Sequence, residues 1–559
     1  MFLKLLNQIF KKNYYLLTAL LFFLSFPSFD FLFLKGFTFF AWIALSPLFI
    51  FVRGKNYKRV YLAAFFTSFL GNLFRFYWIG YFAAKDNGGF YLILFILMPV
   101  LAIIFAFKIL LSEILARKFA KFRYLIYPSI WIIFDWLMGL GYTPFTFDYL
   151  GHSQYLFTPF IQVSSFIGIL GINYIIILFN YILADLFFLK IDQAVSFKKV
   201  FSSVQAIRFG FIIVFISLIC LYGLVLLKNS KPYEVELSHR PSSGSLDSTK
   251  ITSKEDKKDL TIACVQPCIS PWKNWNVNRD KYLQDLKFYT KKSLEEKPDL
   301  IIWPESSTLE TLSFNFFNKK LNSFEKELLH FIMECKVNFL IGEIGAVVKK
   351  KATSIKRYPQ NNMVLINSAG KIKKTYSKIR LVPFGEWLPY VNFIPLWKKF
   401  FFYGGEADFV PGSKKEIFTI KNNKNFYRFA TLICYEGTLP GFCRKFSAKG
   451  IDFFVNASND GWSETYSGHT QHFAASVFRA IENGKWFIRV GNTGYTAAID
   501  PYGRVKKELP ILGKNYLVTG LDFSLNHSTF YNKYGDLFLF INFTFILFLL
   551  IRCFFISGR

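Results

Sequence analysis

Residues 300–306 read Leu300-Ile301-Ile302-Trp303-Pro304-Glu305-Ser306. An apolar strand runs into a proline, which has no N–H to donate to a ladder, so the strand stops there. Glu305 is left at its carboxyl end, where side chains with chemical work to do tend to be presented. The pattern repeats outward from this point. Strand candidates are 260–265, 300–303, 338–343, 363–367, 429–434, 452–456, 486–491 and 495–500, with helices expected near 277–293, 322–334 and 471–483. Such alternation implies a layered α/β domain over residues 260–533.

The chain around that domain is of another kind. Apolar runs long enough to cross a bilayer occur near 13–29, 36–52, 60–83, 89–112, 124–141, 160–189 and 209–227, and an eighth near 534–551. No small-x-small cleavage site follows the first run, so it is not read as a signal peptide. Lys and Arg cluster in alternate loops: Lys4, Lys11 and Lys12; Arg53, Lys55, Lys58 and Arg59; Arg117, Lys118, Lys121 and Arg123; Lys190, Lys198, Lys199 and Arg208. Positive loops near spans stay cytoplasmic, which puts both termini inside and the α/β domain outside. The expected division is a seven-span domain at 1–227, a polar linker at 228–259, the catalytic domain at 260–533 and a last span at 534–559. The net charge of +30 fits attraction to anionic lipid. It does not indicate nucleic-acid binding, because the basic residues are scattered and no nucleic-acid motif accompanies them. The seven cysteines form neither a C-x-x-C pair nor a zinc-like cluster.

Two further polar residues sit just after a strand candidate or in a turn. Lys378 lies in Tyr376-Ser377-Lys378, ahead of Leu381-Val382-Pro383-Phe384-Gly385-Glu386, and Cys434 closes Leu432-Ile433-Cys434-Tyr435-Glu436. Thiol chemistry divides the labour among them. The thiolate is the nucleophile, a carboxylate can take the thiol proton, and an ammonium can favour the thiolate and an oxyanion.

In that order, Trp-Pro-Glu, Tyr-x-Lys-x-x-Leu-Val-Pro-Phe-Gly-Glu and Cys-Tyr-Glu resemble the carbon–nitrogen hydrolase (nitrilase) superfamily. Spans on both sides narrow the resemblance to the apolipoprotein N-acyltransferase family. Ser458-Asn459-Asp460, Gln471-His472, Arg479-Ala480 with Glu482, and Arg489 with Asn492 and Gly494 also match. The resemblance implies an αββα sandwich outside the bacterial inner membrane, facing the periplasm. It implies Cys434 as acyl-accepting nucleophile, Glu305 as general base and Lys378 as oxyanion-stabilising cation. Glu386, Tyr435 and Glu436 would support them. Trp275 resembles the family tryptophan at the substrate entrance, with a merely packed ring as the other reading.

The implied reaction passes a fatty acyl group from a phospholipid to Cys434. It then passes to the N-terminal amine of a diacylglyceryl apolipoprotein, by a monomer, with no metal or organic cofactor. Phe384, Trp387, Phe400, Phe401, Phe402 and Tyr403 are candidates for an apolar lid, or else ordinary core aromatics. Arg75, within the third run, is expected to touch a phospholipid headgroup, to pair with Asp135, or to snorkel. Gly461-Trp462-Ser463 departs from the family's Ala-Trp-Phe, and Asp135 and Met138 replace its usual Glu and Arg. The alternatives are a membrane-tethered nitrilase-like amidase and, outside enzymes, a transporter or receptor.

Overall fold

The computed structural model describes residues 14–26, 37–83, 89–141, 143–192, 203–230, 259–270, 275–351, 354–389, 409–422, 425–463 and 465–557. The expected linker therefore lies almost wholly outside the described residues.

The sheet-rich part holds twelve strands: β1 (Leu260–Gln266), β2 (Leu300–Ile302), β3 (Asn338–Lys351), β4 (Ser354–Ile366), β5 (Ile372–Ser377), β6 (Ile417–Asn422), β7 (Asn425–Ile433), β8 (Phe453–Ser458), β9 (Trp486–Gly491), β10 (Ala497–Ile499), β11 (Val505–Glu508) and β12 (Asn515–Leu521). They form two six-stranded sheets, ordered β12-β1-β2-β3-β4-β5 and β11-β10-β9-β8-β7-β6. β1, β2 and β3 are mutually parallel, as are β7, β8 and β9.

Successive side chains on a strand point to opposite faces, so a strand covered on both sides is apolar throughout. In β1, Leu260, Ile262 and Cys264 join the core between the sheets. Ala263 and Val265 join the core beneath two helices that the sequence anticipated, Trp275–Ser293 and Ser323–Cys335. β1 lies over β9 and β4 over β7, while Pro440–Ser447 and Tyr466–Asn483 cover the second sheet. The layers are αββα.

The other helices form an apolar bundle: α1 (Tyr14–Leu24), α2 (Ser46–Val52), α3 (Tyr57–Arg75), α4 (Gly89–Lys118), α5 (Arg123–Met138), α6 (Ser164–Asp192), α7 (Val204–Asn229) and α8 (Leu537–Ser557). Among the described residues, four stretches, Phe95–Lys118, Ser164–Phe188, Val204–Asn229 and Leu537–Phe555, are long and apolar enough to cross a membrane. The run at 36–52 divides into a 3₁₀ turn, Thr38–Trp42, and α2. The run at 60–83 breaks after Arg75 into a second 3₁₀ turn, Tyr77–Ala83.

The bundle and the sandwich share one continuous core. Residues 467–483 are buried all round, because their helix lies between the second sheet and the bundle. α6 bends at Gly168, where φ is +65°. A Cβ there would stand 2.5 Å from the Tyr531 ring, so only glycine fits. The bend frees the amide of Ile169, which donates to Glu482 Oε1 of the sandwich at 2.9 Å.

Candidate active site

The three residues singled out in the sequence come from three different strand ends. Glu305 follows β2, Lys378 follows β5 and Cys434 follows β7. The carboxyl ends of parallel strands in an open α/β layer are where ligands bind. Lys378 Nζ lies 3.1 Å from Glu305 Oε1 and 2.8 Å from Glu386 Oε1. Asn361 Nδ2, from β4, donates to the same two oxygens at 2.7 and 3.0 Å. The backbone amide of Asn459 donates to the other Glu305 oxygen at 2.6 Å. Gly342 on β3 permits this close seat, since a Cβ would meet the Pro304 carbonyl oxygen at 2.3 Å and Glu305 Cα at 2.8 Å.

Cys434 has φ +52°, in the left-handed region that a β-carbon disfavours. It closes β7 and opens a 3₁₀ turn, Cys434–Thr438. The Glu436 carboxylate holds that turn by accepting from Ile433 N at 2.8 Å, Ile379 N at 2.7 Å, Arg380 N at 3.0 Å and the Tyr376 hydroxyl at 2.8 Å. One side chain thus ties the cysteine turn to the lysine loop.

Burial sets the electrostatics. It pushes the Cys434 thiol pKa up, and the Glu305 carboxylate pushes it further, against Lys378 and a hydrogen bond with Ser458. Burial also raises Glu305, with Lys378 opposing. Burial opposes the Lys378 charge, but Glu305 and Glu386 outweigh it and hold its pKa well above the usual value. At rest the cluster is a neutral thiol beside two carboxylates sharing one ammonium. Moving the thiol proton to Glu305 as negative charge grows on a carbonyl oxygen near Lys378 shifts charge without adding any. This arrangement can carry out nucleophilic acyl chemistry without histidine.

The bundle reaches this turn directly. The Tyr435 hydroxyl donates to the carbonyl of Pro144, and Thr146 Oγ1 donates to the Thr438 hydroxyl oxygen at 3.0 Å. The Phe147 ring stacks on Tyr435 at 6.4 Å and meets His472 edge-on at 5.9 Å. Arg75 is fully buried; its Nη2 donates to Asp148 Oδ1 at 2.7 Å and to the Phe147 carbonyl at 3.1 Å. Its guanidinium lies over Phe26 and Phe76, 4.1 Å from each ring centre. The expected Asp135 partner is instead paired with Lys108, because both project from neighbouring α4 and α5 into the bundle.

Trp275 begins its helix, but its side chain lies outside the described residues, as do Phe400, Phe401, Phe402 and Tyr403. Phe384 and Trp387 are half-buried in the loop that presents Glu386, where Phe384 N donates to the Trp387 carbonyl at 2.8 Å. Sequence reasoning gave no role to Asn361. Its signal was a pair of amides, Asn361-Asn362, in a strand otherwise leading into Met363-Val364-Leu365. Beside the thiol, Cys434, Asp460 and His472 place ligand-type atoms within 4.8 Å of one another, the one such group among the described residues.

Fold and site together define a thiol-based carbon–nitrogen hydrolase sandwich built onto an apolar helical bundle. The carbon–nitrogen hydrolase family profile matches residues 261–529, and that of the apolipoprotein N-acyltransferase N-terminal domain matches residues 18–182. The chain belongs to the apolipoprotein N-acyltransferase family within the nitrilase superfamily. It is 28% identical over 541 residues to apolipoprotein N-acyltransferase 1 of Treponema denticola, covering 93% of this chain and 92% of that one. It is 27% identical over 510 residues to the apolipoprotein N-acyltransferase of Borreliella burgdorferi, covering 90% and 89%. Among solved structures it is similar to an amidase from Nesterenkonia sp., with 16% identity and a TM-score of 0.33 over 47% of this chain and 90% of that one.

Proposed function

We propose that this enzyme transfers a fatty acyl group from a phospholipid, through a thioester on Cys434, to the N-terminal amine of a diacylglyceryl apolipoprotein. Its names among relatives point to lipoprotein N-acylation. The observation that carries the reading is that the cysteine turn is seated on the bundle: Tyr435 and Thr438 bond to Pro144 and Thr146. The nucleophile therefore sits where a chain still held in a bilayer can reach it. A diacyl lipid does not leave the membrane readily, so the site must come to the lipid.

Sγ of Cys434 attacks the ester carbonyl carbon while Glu305 takes the thiol proton. The carbonyl oxygen gains negative charge beside Lys378, an effect worth roughly 3–4 kcal/mol for one good donor. As the C–O bond breaks, Glu305 returns the proton to the leaving lysophospholipid oxygen. The acceptor amine then attacks the thioester, the N–C bond forming as the C–S bond breaks, while Glu305 takes a proton from the amine nitrogen and returns it to Sγ. Glu386 and Asn361 hold Lys378 and Glu305 in register, and Glu436 holds the two loops together. Water must be kept from the waiting thioester.

Orientation follows from charge. Arg53, Arg123 and Arg208, from three loops expected on one side, converge on Asp185 at 2.5, 3.1 and 4.0 Å. At 1.5 Å per residue, Asp185 lies roughly 24 Å along α6 from Ile169, which touches the sandwich. A bilayer between these ends puts the basic loops in the cytoplasm, the sandwich in the periplasm and residues 534–559 through the inner membrane.

Intact mass spectrometry of the purified protein with phospholipid alone, beside Cys434→Ala, tests the reading. A hydroxylamine-labile gain of one fatty acyl mass on the parent only is expected, discharged by a diacylglyceryl lipopeptide. Acyl release to water with no dependence on the lipopeptide would favour the tethered amidase instead.

A further inference from the structure

At the inner end of the bundle, the three arginines that converge on Asp185 do not share its charge equally. Arg53, just after α2, is the nearest: its Nη1 lies 2.5 Å from Asp185 Oδ1, and its guanidinium lies over the rings of Tyr181 and Phe188, 5.2 and 4.9 Å from their centres. Arg53 and Asp185 therefore balance each other. Arg123, at the start of α5, and Arg208, near the start of α7, stand further out: Arg123 Nη2 is 3.1 Å from Asp185 Oδ1 and Arg208 Nη1 is 4.0 Å from Oδ2. Glu113 is already paired with Arg117 at 2.8 Å. Among the described residues, two positive charges are left with no carboxylate of their own.

Tyr124 holds these two side by side. Arg123 and Arg208 lie over its ring at 5.1 and 4.5 Å, and Nη2 of the first and Nη1 of the second donate to its hydroxyl, which donates to Asp185. Each guanidinium keeps Nε and one Nη group without a bond to any described residue. Their side chains are 29% and 43% exposed, so a ligand can reach both. The neighbours are not those of an ordinary solvated surface. Phe122 and Leu125 beside Arg123, and Val204, Ile207 and Phe211 around Arg208, are all exposed. Two adjoining guanidiniums bordered by bare apolar side chains match a phosphate with hydrocarbon attached to it.

We propose that Arg123 and Arg208 bind the phosphodiester of an anionic phospholipid in the cytoplasmic leaflet, whose acyl chains lie along the exposed apolar face of α7. The choice of leaflet rests on the orientation proposed above. A choline or ethanolamine headgroup would bring a third cation to a place that already has two in excess, whereas a glycerol headgroup brings none and offers hydroxyl oxygens to the remaining donors. This lipid is not the acyl donor, because Asp185 lies roughly 24 Å along α6 from the contact of Ile169 with the sandwich. Its phosphate supplies the counter-ion that the helix ends lack, so α5, α6 and α7 are held together where their own charges repel.

The test uses the full-length protein in phosphatidylcholine nanodiscs into which phosphatidylglycerol is titrated, with the lipids retained on release counted by native mass spectrometry. The parent should keep phosphatidylglycerol in preference to phosphatidylcholine. Arg123→Gln and Arg208→Gln should each weaken that preference about fivefold, the effect of one basic residue at an anionic lipid surface. Arg208→Lys should restore part of it. Lys58→Gln removes an exposed cation expected on the same side but outside the cluster, and should leave the preference unchanged. Thermal midpoints in phosphatidylcholine alone check that the variants fold; if Arg123→Gln lowers its midpoint there, the more exposed Arg208 carries the comparison. Phosphatidylglycerol should raise the parent's midpoint more than that of the double variant, and inorganic phosphate should not. No preference in the parent, or equal losses in Lys58→Gln and Arg208→Gln, overturns the site. A phosphate effect as large as the lipid's overturns the lipid in favour of a soluble anion. The leaflet is read separately: Lys58→Cys should react with a membrane-impermeant maleimide, above the parent's background, only after cells are broken open. Reaction in intact spheroplasts would overturn the cytoplasmic placement and leave the nanodisc result standing.

Discussion

The carboxylate of Glu436 accepts the backbone amide of Ile379 at 2.7 Å, so the residue two places after the thiol grips the residue one place after the ammonium. The distance between nucleophile and cation is thus set by main-chain geometry and not by the reach of a flexible lysine. Removing Lys378 should then remove charge without moving the frame. Lys378→Met is expected to slow thioester formation by about 10²–10³-fold, as for loss of one oxyanion donor. It also leaves the buried Glu305 and the half-buried Glu386 with no cation, so a lowered thermal midpoint should accompany the loss.

Asn361 divides one amide between Glu305 and Glu386. Asn361→Leu leaves both carboxylates short of a donor. A hydrogen bond to a charged group contributes about 1.5–3 kcal/mol, so thioester formation should fall by roughly 10- to 100-fold. The binding of phospholipid, read from the KM of the first step, should hold, because Asn361 lies behind the reacting groups.

Arg75 and Asp148 form a clamp that seats the 143–149 loop on the cysteine turn. If that is the role of Arg75, Arg75→Gln and Asp148→Asn should each lower the thermal midpoint and slow thioester formation, and the double variant should cost little more than either single one. A double-mutant cycle gives the coupling directly. Additive losses, with phospholipid KM raised by Arg75→Gln alone, would restore the headgroup contact expected from the sequence.

Burial and Arg489 hold His472 below the usual histidine pKa. The folded protein therefore binds fewer protons than the unfolded chain across this range. The stabilisation from the neutral ring is fully present above the unfolded value, about 6.5. It fades as pH falls toward the lower folded value. Asp460 is held well below the carboxylate range by Arg489 and His472, against the effect of burial, and adds the same sign at more acid pH. Thermal midpoints should decline from about pH 6.5 downward in the parent, and less steeply in His472→Gln. Parallel profiles would show that His472 does not supply this slope.

Much of this was written locally. Glu305 and Cys434 could be found because each ends an apolar strand, marked by its own neighbours (Pro304 after Trp303, Glu436 after Tyr435), and Lys378 because it stands in a turn ahead of the apolar Leu381-Val382-Pro383-Phe384. The doubly buried strands were visible for the same reason, as apolar runs needing cover on both faces. Four strands escaped. Ile372–Ser377, Ile417–Asn422, Val505–Glu508 and Asn515–Leu521 carry polar faces or short apolar content, and all four lie at sheet edges. An edge strand is stabilised by the partner it pairs with more than by its own pattern.

The residues that hold the site together could not be read this way. Asn361 meets Glu305 across 56 positions, Tyr435 meets Pro144 across 291, and Gln471 meets the Arg75 carbonyl across 396. None of these pairings leaves a trace in local sequence, because each depends on which strands and helices become neighbours. The choice of Asp148 over Asp135 for Arg75 is of that kind. A buried guanidinium must find an anion, as residue chemistry alone dictates. Which anion it finds was decided by the packing of α3, α4 and α5 and by the loop that closes over them.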